Sequence, residues 1–132
     1  MRGLFISLLF TSLSALYCQE KLPNIIIMIG DGMGLTQISS GMYANNNSTA
    51  LKGFEYVGLS KTHALDKLVT DSAASGTAMA CGVKTYNGVI GIDGKNKSHP
   101  SILEICQKKG YRTGLVATSS IVHATPASFY AK

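Results

Sequence analysis

Residues 68–78 read LVTDSAASGTA, and the other motifs of the chain are best understood from this stretch. Asp71 directly precedes Ser72, and the small residues that follow are typical of a helix packed closely against its neighbours. Two interpretations stay open from this stretch alone: the pair is either a helix cap or the site of a serine nucleophile. Ser72 has no G-x-S-x-G motif around it and no obvious histidine base nearby in sequence. A nucleophile here would therefore need activation by a metal ion, a helix N-terminus, or both.

The composition is that of one modest folded domain. The chain has 132 residues, of which 45% are hydrophobic and 14% are charged, and its formal net charge is +5. The basic residues are scattered and form no stripe with interleaved aromatic residues, so nucleic-acid recognition is not expected. The positive charge is compatible with anionic substrates but does not identify one.

The first eighteen residues have the features of a secretory signal peptide. A short positive region precedes Leu4–Leu16, an apolar run that is too short for a comfortable membrane span. We therefore expect residues 1–18 to be a cleaved signal and the mature chain to be exported, either periplasmic or secreted, with no membrane span. Cys18 makes lipoprotein anchoring the alternative, although the bulky Tyr17 before it fits such a cleavage site poorly.

Two further features depend on the exported environment. Cys81 and Cys106 remain after signal removal, and they are read equally well as a disulfide or as two buried apolar residues. Asn46, Asn47 and Asn96 lie in N-x-S/T sequons, which matter only in a glycosylating host.

A glycine-rich loop follows the first apolar run of the mature chain. Residues 24–29 read NIIIMI, which is typical of a strand covered on both faces of a parallel sheet, and residues 30–34 read GDGMG. The glycine spacing does not match the dinucleotide-binding G-x-G-x-x-G motif. The loop is either an ordinary Asp-Gly turn or a site where Asp31 binds a metal ion at the carboxyl end of the strand.

The remaining pattern predicts an α/β fold. A strand–helix–strand order in the second half of the chain indicates a βαβ unit with a right-handed crossover. The predicted helices cover residues 35–43, 73–81 and about 100–109, the last with Pro100 in its first turn, and the predicted strands cover residues 24–29, 54–62 and 113–118.

The last predicted strand leads to a polar segment at the same edge of the sheet. Residues 119–126 read SSIVHATP. Thr125 before Pro126 is typical of a helix N-cap, and His123 is interpretable as a hydrogen-bonded loop residue. The segment is expected to reach the same carboxyl edge as Asp31.

Three segments taken together resemble alkaline phosphatases. GDGMG at 30–34, VTDSAASGTAMACGVKTYNG at 69–88 and HATPASFYA at 123–131 occur in the order found in that family, with most similarity to its bacterial members. The resemblance implies a three-layer sandwich with a mostly parallel central sheet. It also implies a homodimeric phosphomonoesterase that binds two zinc ions and one magnesium ion and acts on small phosphate monoesters.

The resemblance assigns a role to each candidate residue. Ser72 would be the nucleophile that becomes phosphoserine, and it would also contact one zinc ion. Asp31 would bridge that zinc and the magnesium, and Thr125 would be a magnesium ligand. His123 lies where some family members carry Asp, in or near the magnesium shell. Asp71 would orient this neighbourhood through its carboxylate.

The same resemblance implies that residues 19–132 are an incomplete N-terminal portion of the catalytic domain. The family supplies further Asp and His zinc ligands, a magnesium-binding Glu and a phosphate-binding Arg from chain beyond position 131. We therefore expect this chain to be inactive alone. The alternative is a non-catalytic phosphate- or metal-binding remnant. Phosphodiester and sulfate ester hydrolysis are disfavoured, because such relatives carry a different nucleophile context.

Overall fold

A computed structural model describes residues 23–131 of the chain. The predicted signal peptide at 1–18 and the final residue, Lys132, lie outside these described residues. The helices are α1 (Leu35–Ala44), α2 (Ser72–Cys81), α3 (Ile102–Lys108) and α4 (Ala124–Ala127), with one 3₁₀ turn at Ala50–Gly53 that the sequence pattern did not predict. Among residues 23–131, no helix has both the length and the apolar content that crossing a membrane requires.

Helix α2 forms the centre of the small core. It begins one residue earlier than predicted, because the Asp71 side chain accepts a hydrogen bond from the Ala74 amide at 2.8 Å and caps it. It ends, as predicted, at Gly82, whose φ of 71° places the backbone in the left-handed region. Its buried residues are all small: Ala73, Ala74, Gly76, Thr77 and Ala80.

The small residues of α2 allow α4 to lie close against it. A Cβ atom built on Gly76 would lie 2.6 Å from the Ser128 Oγ, which no side chain could tolerate without a shift. Ser128 is fully buried directly after α4, and its hydroxyl donates to the Ala124 carbonyl at 2.8 Å. Gly76 therefore sets the distance between the two helices.

Helix α3 confirms the helix predicted at about 100–109, but it starts two residues later than predicted. Ser101 caps it by accepting from the Glu104 amide at 3.2 Å, so Pro100 lies before the helix rather than in its first turn. Its end is the predicted one: Gly110 has φ 85°, and the Tyr111 amide donates to the Cys106 carbonyl at 3.0 Å. The Ser101 hydroxyl also donates to the Phe129 carbonyl at 2.5 Å, which joins α3 to the end of α4.

The predicted parallel sheet is not confirmed within residues 23–131. These residues contain no β-strand, and the one isolated bridge joins Ile92 to Ser98. Side chains along 111–118 still alternate between half-buried and exposed, as they would on a strand with one covered face. A strand also needs a hydrogen-bonded neighbour, and none of the segments 24–29, 54–62 and 113–118 has one among the described residues.

Candidate active site

Three oxygen-bearing side chains meet at one point of the structure. The Ser72 hydroxyl donates to the Asp31 carboxylate, with Oγ 3.2 Å from Oδ1 and 3.0 Å from Oδ2. The Thr125 hydroxyl donates to the same carboxylate, with Oγ1 2.7 Å from Oδ2. Asp31 is 41 positions from Ser72 and 94 from Thr125 in sequence. The structure therefore brings together three residues that sequence reasoning had singled out separately.

Each of the three residues is placed by a different local structure. Asp31 lies in a tight turn in which the Met33 amide donates to the Gly30 carbonyl at 3.1 Å, and Gly32 takes a φ of 65°. Ser72 is the first residue of α2, so its hydroxyl lies where the helix dipole is positive. Thr125 lies inside α4. The prediction that it caps that helix is wrong, because α4 begins at Ala124, with His123 in the cap position.

Asp31 is held as a carboxylate. The hydrogen bond from Thr125 contributes most to lowering its pKa below the usual value, the bond from Ser72 adds to this, and the charge of His123 contributes least. Burial opposes these effects only in part. A carboxylate with a lowered pKa is a weak base, so it orients the Ser72 hydroxyl well but removes its proton poorly.

His123 lies on the same side of the molecule as this carboxylate. It occupies the residue before α4 without capping the helix through its side chain, and it is exposed. Together with Asp31 and Thr125 it lines a cavity of about 520 Å³ that extends along residues 24–29 and 111–119.

Asp71 lies next to the site but faces away from its oxygen cluster. One carboxylate oxygen accepts from the Ala74 amide, and the other accepts from the Gly88 amide at 2.6 Å. Its own amide donates to the Asn87 Oδ1 at 3.0 Å. Asn87 and Gly88 lie within the segment 69–88 that resembles alkaline phosphatases, but the sequence did not identify either as a candidate site residue.

The donor set fits part of a hard-cation site. A carboxylate and two hydroxyls are oxygen ligands of the kind that Mg²⁺ prefers. Zinc sites use about four ligands, mostly nitrogen, sulfur or carboxylate oxygen. Over residues 23–131, no three His, Cys, Asp or Glu side chains come together to hold a metal ion. The described residues therefore offer oxygen atoms that suit a hard cation, and they do not include a complete zinc site.

Comparisons with known proteins identify the family of the chain. The profile of the alkaline phosphatase family matches residues 22–132. Alkaline phosphatase 3 of Bacillus subtilis is 44% identical over 120 residues, covering 84% of this chain and 26% of that protein. Alkaline phosphatase of Escherichia coli is 46% identical over 118 residues, covering 82% and 25%.

Solved structures give the same result. Alkaline phosphatase from the Antarctic bacterium TAB5 superposes with a TM-score of 0.72 at 49% identity, covering 76% of this chain and 29% of that one. A mutant of that enzyme was solved with Mg bound in its M3 site. The present chain spans about a quarter of the length of the curated relatives it matches. By sequence and by fold, the chain belongs to the alkaline phosphatase family.

Proposed function

We propose that these residues are the nucleophile-bearing part of a longer enzyme that hydrolyses phosphate monoesters. The observation that carries this proposal is the meeting of the Ser72 hydroxyl with Asp31 at the N-terminus of α2. Family membership supports the reaction class. The coverage of about a quarter of each relative supports the need for further chain.

The proposed reaction has two displacements at phosphorus. Ser72 Oγ forms a bond to phosphorus as the ester P–O bond breaks, giving phosphoserine and the free alcohol. The serine proton is lost to solvent, and the leaving alcohol takes up a proton in exchange. Water then attacks the phosphoserine, releases inorganic phosphate and restores the hydroxyl. Two in-line displacements retain the configuration at phosphorus.

Two features of the chain support Ser72 as the attacking group. The first turn of α2 provides backbone amides and a positive dipole end, which favour the negative phosphate oxygens. Asp31 accepts a hydrogen bond from the Ser72 hydroxyl and so fixes the direction of that hydroxyl. Because the lowered pKa makes Asp31 a weak base, the serine proton must be made more acidic by other means.

We further propose a centre of two Zn²⁺ and one Mg²⁺ ions in the complete enzyme. Asp31, Ser72 and Thr125 would provide ligands, with His123 in or near the magnesium shell, and the remaining ligands would come from the rest of the enzyme. When bound, such ions lower the pKa of a coordinated hydroxyl toward about 7 and offset the phosphate charge. A three-layer sandwich with a mostly parallel central sheet, a homodimer and an exported location complete the proposal.

The Ser72→Ala variant tests the nucleophile. In the longer enzyme, turnover of 4-nitrophenyl phosphate with Zn²⁺ and Mg²⁺ should fall by about 10³-fold or more, since the variant lacks the attacking oxygen. Labelled phosphate trapped at low pH should appear on the wild-type protein and not on the variant. Ser75→Ala is the matched control, because Ser75 lies on the same helix and donates to the Asp71 carbonyl. Covalent phosphate on the Ser72→Ala protein would contradict the assignment.

The second candidate is a non-catalytic phosphate- or metal-binding protein. The incomplete ligand set among residues 23–131 favours it. It predicts binding of phosphate or Mg²⁺ by calorimetry without turnover, even when Zn²⁺, Mg²⁺ and the rest of the enzyme are supplied. Release of nitrophenol above the Ser72→Ala background would exclude it.

A further inference from the structure

The side chain of Asn87 joins two backbone groups just before Ser72. Its Oδ1 accepts from the Asp71 amide at 3.0 Å, and its Nδ2 donates to the Val69 carbonyl at 3.1 Å. Asp71 has φ −99° and ψ 179°, which is extended backbone. A residue of a neighbouring parallel strand would bond to the same two groups. One carboxamide thus takes the place of a strand neighbour for the segment that leads into Ser72.

The next residue continues this contact. The Gly88 amide donates to the Asp71 carboxylate at 2.6 Å, so consecutive residues bond to the backbone and to the side chain of Asp71. Gly88 has φ 79°, a conformation that side-chain-bearing residues rarely adopt, and this turn presents both groups to Asp71.

The loop that carries Asn87 is itself fixed to the middle of α2. Thr77, which is fully buried, donates through Oγ1 to the Val89 carbonyl at 3.2 Å and accepts from the Gly91 amide at 3.1 Å. Asn87 therefore rests on a support that belongs to the same helix as Ser72.

Capping of α2 does not account for these contacts. Asp71 already caps the helix through its bond from the Ala74 amide. One bond of Asn87 is to the amide of the cap residue itself and the other is to Val69, two residues earlier, so both act on backbone before the first turn of the helix. These two hydrogen bonds fix the direction of the backbone that leads to Ser72.

We propose that Asn87 is a positioning residue for Ser72. Its carboxamide fixes the backbone of residues 69–71 so that the Ser72 hydroxyl is directed at Asp31 and at an incoming phosphate ester. The consequence for turnover rests on the proposed function, whereas the consequence for the geometry of Ser72 does not. Because Asn87 is exposed, shortening its side chain leaves no cavity, and the fold should survive the change.

Two variants and one control test the proposal. Asn87→Ala removes both hydrogen bonds, and Asn87→Asp keeps an acceptor for the Asp71 amide while losing the donor to Val69. Asn45→Ala is the control, because Asn45 is also exposed and donates through Nδ2 to a backbone carbonyl, that of Ser48, at 3.2 Å. Melting temperature checks that all three variants fold.

Two measurements separate positioning from plain stabilisation. Amide exchange of Asp71 should accelerate by about tenfold or more in Asn87→Ala, and the Ser72 Cβ resonance should move. In the longer enzyme carrying the same change, the kcat for 4-nitrophenyl phosphate should fall by about 10- to 100-fold, with KM changed less than about threefold. Asn87→Asp should lie between Asn87→Ala and the wild type, and Asn45→Ala should match the wild type.

The outcomes decide the two proposals separately. A longer wild-type enzyme without turnover would overturn the proposed function, while the exchange rate and the Ser72 resonance would still decide the role of Asn87. An unchanged Ser72 resonance in folded Asn87→Ala would overturn the positioning role. So would a loss of kcat of the same size in Asn45→Ala.

Discussion

The contact between α2 and α4 differs sharply from the two apolar segments at 24–29 and 111–118. The buried residues of α2 are small and pack closely against α4. Beside them, Ser72 and Thr125 both donate hydrogen bonds to Asp31. Apolar side chains of the two segments are instead open to solvent, with Ile26 84% exposed and Val116 fully exposed. The hydrogen bonds that join Ser72, Asp31 and Thr125 form within the described residues, whereas the hydrogen bonds of the predicted sheet do not.

Hydrogen bonding explains this difference. A helix satisfies its backbone groups within its own segment, so α2 and α4 form from local sequence and then pack. A strand obtains its partners from another segment, which can be distant in the chain. The cavity of about 520 Å³ that both extended segments line is space that neither of them fills.

The largest expected effect is at the contact between α2 and α4. Gly76→Ala should destabilise the protein by about 1–3 kcal/mol, because the new methyl group overlaps Ser128 and forces the helices apart. The gain in helix propensity, about 0.5–1 kcal/mol, is smaller than this cost. Urea denaturation measures the difference.

Gly41→Ala provides the matched control for that measurement. Gly41 lies within α1, and a Cβ atom there would meet nothing within 4 Å. This variant should be more stable than the wild type by about 0.4–1 kcal/mol. If both variants changed the free energy of unfolding in the same direction, close packing would not distinguish α2 from the exposed helix α1.

An intermediate effect is expected at His123. The His123→Asp change replaces a group whose charge lowers the pKa of Asp31 with a carboxylate, which adds negative charge and a hard oxygen ligand. The Mg²⁺ concentration at half-saturation, measured by calorimetry, should fall by about tenfold, which corresponds to about 1.4 kcal/mol of binding free energy. An unchanged Mg²⁺ requirement would remove His123 from the metal site.

The smallest effect is expected in the open segments. Val116→Thr should change the free energy of unfolding by less than about 0.5 kcal/mol, because the side chain is already fully exposed. Chemical denaturation of this chain provides the measurement. A cost above about 1.5 kcal/mol would mean that the residue is buried in solution, and the contrast with Gly76 would fail.

Local sequence was a good guide to the helices. The bounds of Leu35–Ala44 and Ser72–Cys81 each lie within one residue of the predicted ones. For Ser72–Cys81 the reason is local, because the cap at Asp71 and the stop at Gly82 act over a single turn. The cap before α4 was assigned to Thr125 instead of His123, since short helices leave little periodicity to read. The predicted strands are not confirmed among the described residues, because a strand needs hydrogen-bonded partners that can lie far away in the sequence.

The sequence by itself determined the family, the position of α2 and the serine at its start. It could do so because caps, glycine stops and the TDSAASGTA run are properties of neighbouring residues. Only the tertiary structure decided that Asp31 and Thr125 meet Ser72, that Gly76 must lack a side chain, and that Asn87 supports Asp71. Those contacts join residues 16 to 94 positions apart, and no local propensity encodes such distances.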